Sequence, residues 1–197
     1  MKVMKMSKAL FSNISNFHDY GIYLPNRSIT IFGDVDGAML EQVFNNLHML
    51  DASTGVINIF INTGGGECAA GLGIYDAIKG CRNHVRGMVY DEASSMGSVI
   101  LQACDERLMA PHSYIMVHDG EHGMASVHPR IKKSWDTYLK KMDSQIQTIL
   151  LKRIKEKHPR FTMKKLEDLT LFDTILFPKE AIELGLADSV EESFRIR

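Results

Sequence analysis

Three short segments hold residue types that together could open an acyl bond. Residues 61 to 66 read Ile-Asn-Thr-Gly-Gly-Gly, residues 93 to 97 read Ala-Ser-Ser-Met-Gly, and His118 closes an apolar run. A serine hydroxyl becomes a useful nucleophile when a positioned base takes its proton, and the tetrahedral oxyanion that follows needs preorganised N–H donors. The glycine turn offers N–H groups with no side chain in front of them, Ser95 offers a hydroxyl and His118 an imidazole. Each also has an ordinary structural role. Three glycines can be a plain tight turn, a serine ahead of a helix is a natural N-cap, and a lone histidine at a strand end is usually structural. Ser94 and Ser98 are rival hydroxyls on composition alone.

Other chemistries fit less well. No Lys-Ser or Lys-Thr follows the glycines, so they do not form a P-loop, and the spacing of a dinucleotide site is missing. His112, His118 and His122 with Asp119 and Glu121 match no compact zinc motif, and no cysteine joins them, so neither a metal nor an organic cofactor is expected. Cys68, two residues past the glycine turn, reads as a buried helix residue rather than a nucleophile.

The elements that must carry these groups follow from periodicity. Ser28 to Phe32 reads as a strand; Asp36-Gly37 then caps a helix bearing Leu40, Val43, Phe44 and Leu47. Gly55 to Ile61 is a second strand, broken by the glycines, and a helix follows through Ala69, Ala70, Leu72, Ile74, Tyr75 and Ile78. A third unit joins strand Val85 to Tyr90 to a helix from Ser95 to about Cys104. Arg107 to Ala110 and Ser113 to Val117 add strands, the last ending at His118. A helix of about 40 Å runs from Arg130 to Lys157, and its stripe Ile131, Trp135, Tyr138, Met142, Ile146 and Ile149 predicts packing along its whole length. Alternation of this kind predicts an α/β fold with a largely parallel sheet covered on both faces. Residues 1–20 read as a mobile polar arm and 21–197 as one domain.

Composition narrows the setting. A chain of 197 residues with 45% hydrophobic content supports a single core, and a net charge of −1 gives no general pull toward nucleic acid or an anionic membrane. Twelve Lys and Arg fall between Arg130 and Lys165. They lack interleaved aromatics, which favours the wet face of a helix over a nucleic-acid surface. Three cysteines without a C-x-x-C pair, no run long enough to span a bilayer, and a lysine-broken start point to a reduced, cytoplasmic protein.

Taken together, these segments resemble the serine peptidases of the ClpP family, with its ClpP/crotonase-like fold of strand-strand-helix units and a long protruding helix. Ile61-Asn62-Thr63-Gly64-Gly65-Gly66 stands for the family's Ile-Asn-Ser-Pro-Gly-Gly, Ala93-Ser94-Ser95-Met96-Gly97 for Ala-Ala-Ser-Met-Gly, and Met116-Val117-His118 for Met-Ile-His. Residues Glu180 to Ser189 resemble the closing Glu-Ala-x-x-x-Gly-x-x-Asp element. The resemblance implies Ser95 as nucleophile, His118 as base, and Gly66 and Met96 as oxyanion donors. Counting back from the tail puts Leu169 where the family's aspartate belongs; Asp168 is one residue away and Asp173 four, and Asp168 is taken as the third member. The implied activity is hydrolysis of unfolded or tagged proteins inside stacked heptameric rings. Rival readings are a catalytically impaired ring subunit, a phage-type peptidase that processes capsid or scaffold proteins, and a crotonase-like acyl-CoA enzyme. The family docks a Clp-type ATPase unfoldase in aromatic-lined pockets; here Asn58 and Gly80 stand where aromatics are often found, while Phe60 remains.

Overall fold

The computed structural model describes residues 8–120 and 129–192. Its sheet begins with β1 (Ile22–Tyr23), antiparallel to β2 (Ser28–Phe32). From β2 the strands run parallel through β3 (Ile57–Thr63), β4 (Val85–Ser94) and β5 (Glu106–Met109) to β8 (Ser189–Val190) at the edge. The parallel steps are bridged by α2 (Gly37–Asp51), α3 (Cys68–Lys79) and α4 (Met96–Leu101). Asp36 caps α2 as its position predicts, accepting from the Met39 N–H at 2.8 Å.

β4 is longer than its apolar half suggests. Val85 to Tyr90 has the expected strand character, yet pairing continues to Ser94 because two partners share the strand. Arg86 to Val89 face β5, whereas Glu92 to Ser94 face β6 (Tyr114–Val117). Asp91, at φ 61°, marks the change of partner. β6 in turn pairs antiparallel with β7 (Thr174–Leu176), a strand too short to stand out in the sequence.

The two faces of the sheet are not equally covered, contrary to expectation. β3 reads Ile-Asn-Ile-Phe-Ile-Asn-Thr, and its residues alternate between buried and half-buried. A strand enclosed on both sides would be a continuous apolar run. One face, with Ile29, Ile31, Ile57, Ile59 and Ile61 fully buried, forms the core against α2, α3 and α4. The other leaves Phe32 half exposed beside Phe60 and Tyr90, whose rings lie 5.7 Å apart.

Within the described part of the N-terminal segment, Lys8–Tyr20 forms helix α1, whose Tyr20 carbonyl accepts from the buried Asn46 side chain at 2.7 Å. One further expectation is corrected. The long helix, α5 (Pro129–Lys157), does not pack along its length. Met142, Leu150 and Ile154 are buried, whereas Ile131, Trp135 and Tyr138 are exposed, with the Trp135 and Tyr138 rings edge to face at 5.5 Å. The apolar stripe is real, but its first half projects past the domain. The second half is pinned by Arg153, which donates to the carbonyls of Gln102 and Cys104 at the end of α4. After α5 come α6 (Met163–Thr170) and α7 (Pro178–Leu184), which close the chain back onto β6 and β8.

Candidate active site

Ser95 sits where β4 turns into α4, with φ 50° and ψ −118°. A residue with a side chain adopts this conformation only when its surroundings force it, at a cost of about 1–3 kcal/mol. Here the neighbours do. The Ser95 N–H donates to Met116 O at 2.9 Å, and Ser95 O accepts from both the N–H and the hydroxyl of Ser98. The hydroxyl of Ser95 makes no helix cap; its Oγ lies 2.9 Å from His118 Nε2. The ordinary N-cap role is therefore not the one this serine plays. Its two rivals are committed elsewhere, Ser98 to Ser95 O and Ser94 to Glu92 Oε2.

The glycine turn lies against this serine. At Gly65, φ is +98°, and a Cβ would stand 2.6 Å from Ser95 Cβ and 3.0 Å from Met96 N, so no side chain fits. Gly66, at φ +148°, has Val35 O where its Cβ would be. The Val35–Gly66 bridge uses the N–H groups of Val35 and Glu67 and leaves that of Gly66 outside the ladder. Gly65 N–H is spent on Thr63 Oγ1 at 3.0 Å, and Thr63 also donates to Gly33 O. Thr63 thus holds a turn in which Gly64 gives no ring rigidity. Met96 opens α4, so its N–H is among those the helix itself leaves unpaired. Its buried side chain packs so close to Gly71 that a Cβ there would lie 2.4 Å from Met96 Cε.

His118 follows β6 and is about a quarter exposed. Its second ring nitrogen, Nδ1, faces Asp173 Oδ1 at 3.3 Å. Asp168, the expected third member, does not take this place. It lies on the exposed side of α6 and is bound to Lys164 one helical turn away, at 2.8 Å. Leu169 is half-buried and packs on the core. Asp173 is brought in by register: β7 pairs antiparallel with Val117 opposite Thr174, so the next residues outward are His118 and Asp173. Two bonds tighten the turn before it, Asp119 N–H to Thr170 O and Thr174 Oγ1 to Leu169 O.

A small cleft beside Ser95 is lined by Cys68, Val99, Val117, Ile146 and Leu150. Burial raises the Cys68 thiol above its ordinary range, and the Asp143 charge adds to this, so it stays protonated and is a poor rival nucleophile. Among the described residues no group of three or more His, Cys, Asp or Glu could hold a metal ion. His122 and Glu121, weighed as ligands from sequence, lie outside those residues. No described helix is long and apolar enough to cross a membrane.

Residues 12–194 match the family model described as Clp protease. The chain belongs to the Clp protease family. Among its relatives, the ATP-dependent Clp protease proteolytic subunit of Deinococcus radiodurans is 32% identical over 183 residues, which covers 89% of this chain and 87% of the relative. Membership makes the chain a serine-type peptidase, with the mixed α/β fold and mainly parallel sheet described above.

Proposed function

We propose that the chain hydrolyses peptide bonds through an acyl-enzyme on Ser95, with His118 as general base, Asp173 as its orienting acid, and the N–H groups of Gly66 and Met96 as the oxyanion hole. The observation that carries this reading is the 2.9 Å contact between Ser95 Oγ and His118 Nε2 at a serine whose strained backbone serves no capping role. His118 Nε2 takes the Oγ proton as Oγ attacks the peptide carbonyl. The same proton then goes to the departing amine, and a water repeats the sequence to release the acid. Asp173 at Nδ1 keeps the lone pair of Nε2 turned toward the serine and stabilises the imidazolium. Metal and organic cofactors have no part in these steps.

The substrate is an unfolded protein or peptide, laid extended along the glycine turn. The active form is a cytoplasmic assembly of stacked heptameric rings, and the projecting half of α5, with Ile131, Trp135 and Tyr138 exposed, supports a role in ring-to-ring contact. A Clp-type unfoldase is the partner proposed for the aromatic groove of about 540 Å³ that includes Phe17, Tyr23, Phe32, Phe60 and Tyr90. Asn58 adds no aromatic here; its side chain donates to Asn26 O.

The test is release of fluorescent fragments from a labelled unfolded protein, with and without a Clp-type unfoldase. Wild type should release fragments and Ser95→Ala should fall to background. Equal release by both proteins, or none by wild type under either condition, would overturn the proposal.

A further inference from the structure

One carboxylate at the end of β4 takes no part in the chemistry above. Glu92 lies directly opposite Tyr114 in the parallel register of β4 and β6. Its Oε2 accepts two hydroxyl hydrogen bonds, from Ser94 Oγ at 2.6 Å and from Tyr114 OH at 2.9 Å. Its Oε1 lies 3.8 Å from where a Cβ on Gly64 would stand, which puts the carboxylate against the glycine turn. Hydrogen bonding to Glu92 is the largest cause of the upward shift of the Tyr114 phenol.

The three segments that meet at Glu92 are those that carry the reacting groups. Ser94 immediately precedes the nucleophile, Tyr114 stands four residues before the base, and Gly64 begins the turn that ends in Gly66. Ser95 lies three residues beyond Glu92 on the same chain segment, and His118 four residues beyond Tyr114 on the neighbouring strand. A carboxylate is an acceptor with no donor of its own, so it can hold two hydroxyls at once, and such charge-assisted bonds are short and directional. The buried Ser94 side chain has its hydroxyl on Glu92, which fixes how the chain enters the sparsely populated Ser95 conformation.

We propose that Glu92 is a positioning residue of the peptidase site, its carboxylate clamping the serine-bearing strand to the histidine-bearing strand and so holding Ser95 Oγ at hydrogen-bond distance from His118. This rests on the reading of Ser95 and His118 as nucleophile and base. Glu92 acts through Ser94 and Tyr114 and touches no reacting atom.

The experiment compares wild type, Ser95→Ala, Glu92→Ala, Glu92→Gln, Ser94→Ala, Tyr114→Phe and the Ser94→Ala/Tyr114→Phe double variant, by peptide hydrolysis and thermal midpoint. Misplacing a reacting group by about 1 Å costs on the order of 100-fold, so Glu92→Ala should lower kcat by about 10- to 100-fold with little change in KM or midpoint. Glu92→Gln, whose amide oxygen still accepts two hydroxyls, should recover most of that loss. The two hydroxyl deletions should be non-additive, because both act through one acceptor. Full kcat in Glu92→Ala, equal impairment in Glu92→Gln, or additive hydroxyl deletions would each overturn the clamp. If Glu92→Ala does not fold, the hydroxyl pair decides alone. Full activity in Ser95→Ala would defeat the underlying peptidase reading, whereas an inactive Ser95→Ala beside an unimpaired Glu92→Ala would defeat only the clamp.

Discussion

Replacing Asp173 with Asn removes the carboxylate facing His118 while keeping its volume. The carboxylate oxygen stands 3.3 Å from Nδ1, and the side chain is 70% exposed. At that distance a full charge pair is worth about 1.3 kcal/mol at the dielectric of water and about 5 kcal/mol at the value suited to a protein surface. The exposure argues for the lower half of that range, so transition-state stabilisation of about 1.3–3 kcal/mol should be lost. At 1.36 kcal/mol per tenfold, this is a fall in kcat of about 10- to 150-fold. That is well short of the roughly 10⁴-fold loss typical of a buried triad acid. The assay is single-turnover acylation by an activated peptide ester alongside steady-state hydrolysis, with Asp168→Asn as the control. Asp168 is bound to Lys164, so its replacement should leave kcat within about twofold. The reasoning fails if Asp173→Asn retains full kcat, or if Asp168→Asn is equally impaired.

Three further outcomes are expected. Gly65→Ala forces a Cβ to within 2.6 Å of Ser95 Cβ at a positive φ, and should lower kcat by about 100-fold or more in a protein that still gives a native far-ultraviolet spectrum. Arg27 donates to the carbonyls of Leu50, Ser53, Gly55 and Val56 around the end of α2; Arg27→Ala should therefore cost about 2–3 kcal/mol in urea unfolding, and a loss below about 0.5 kcal/mol would contradict that role. Burial opposes ionisation of Asp188, but its bonds to the Arg107 guanidinium outweigh this and hold its carboxyl below the ordinary range. A lowered folded pKa means that its stabilisation is present above the unfolded carboxylate value of about 4 and is lost as pH falls through the folded value. Unfolding curves of wild type should converge on those of Asp188→Asn as pH drops from about 5 to 2.

Much of the site was legible because its parts are local. The strand-glycine-helix and strand-serine-helix junctions carry their own turn chemistry, and His118 ends an apolar run whose strand character is plain. Asp173 was not legible for a physical reason. Its place depends on the pairing of a three-residue strand with β6, a long-range contact without periodicity of its own, while Asp168 offered an equally plausible carboxylate nearby. Had Thr174–Leu176 been read as a strand, the residue just ahead of it would have fallen opposite His118. The extent of β4 was hidden likewise, since Asp91 and Glu92 have poor strand propensity and the strand resumes at Glu92 only by pairing with β6. The stripe on α5 keeps helical spacing throughout, but periodicity does not say where the domain ends beneath a helix, and its first half stays exposed. Glu92 left no signal in the sequence, as its two hydroxyl partners come together only across strands.

The most direct measurement is to label the folded protein with a fluorophosphonate and locate the adduct by mass spectrometry of peptides covering the whole chain. The account predicts a single adduct on Ser95, absent in Ser95→Ala and slowed in Asp173→Asn. An adduct on Ser94, Ser98 or Cys68, or a folded wild-type protein that stays unlabelled, would contradict it.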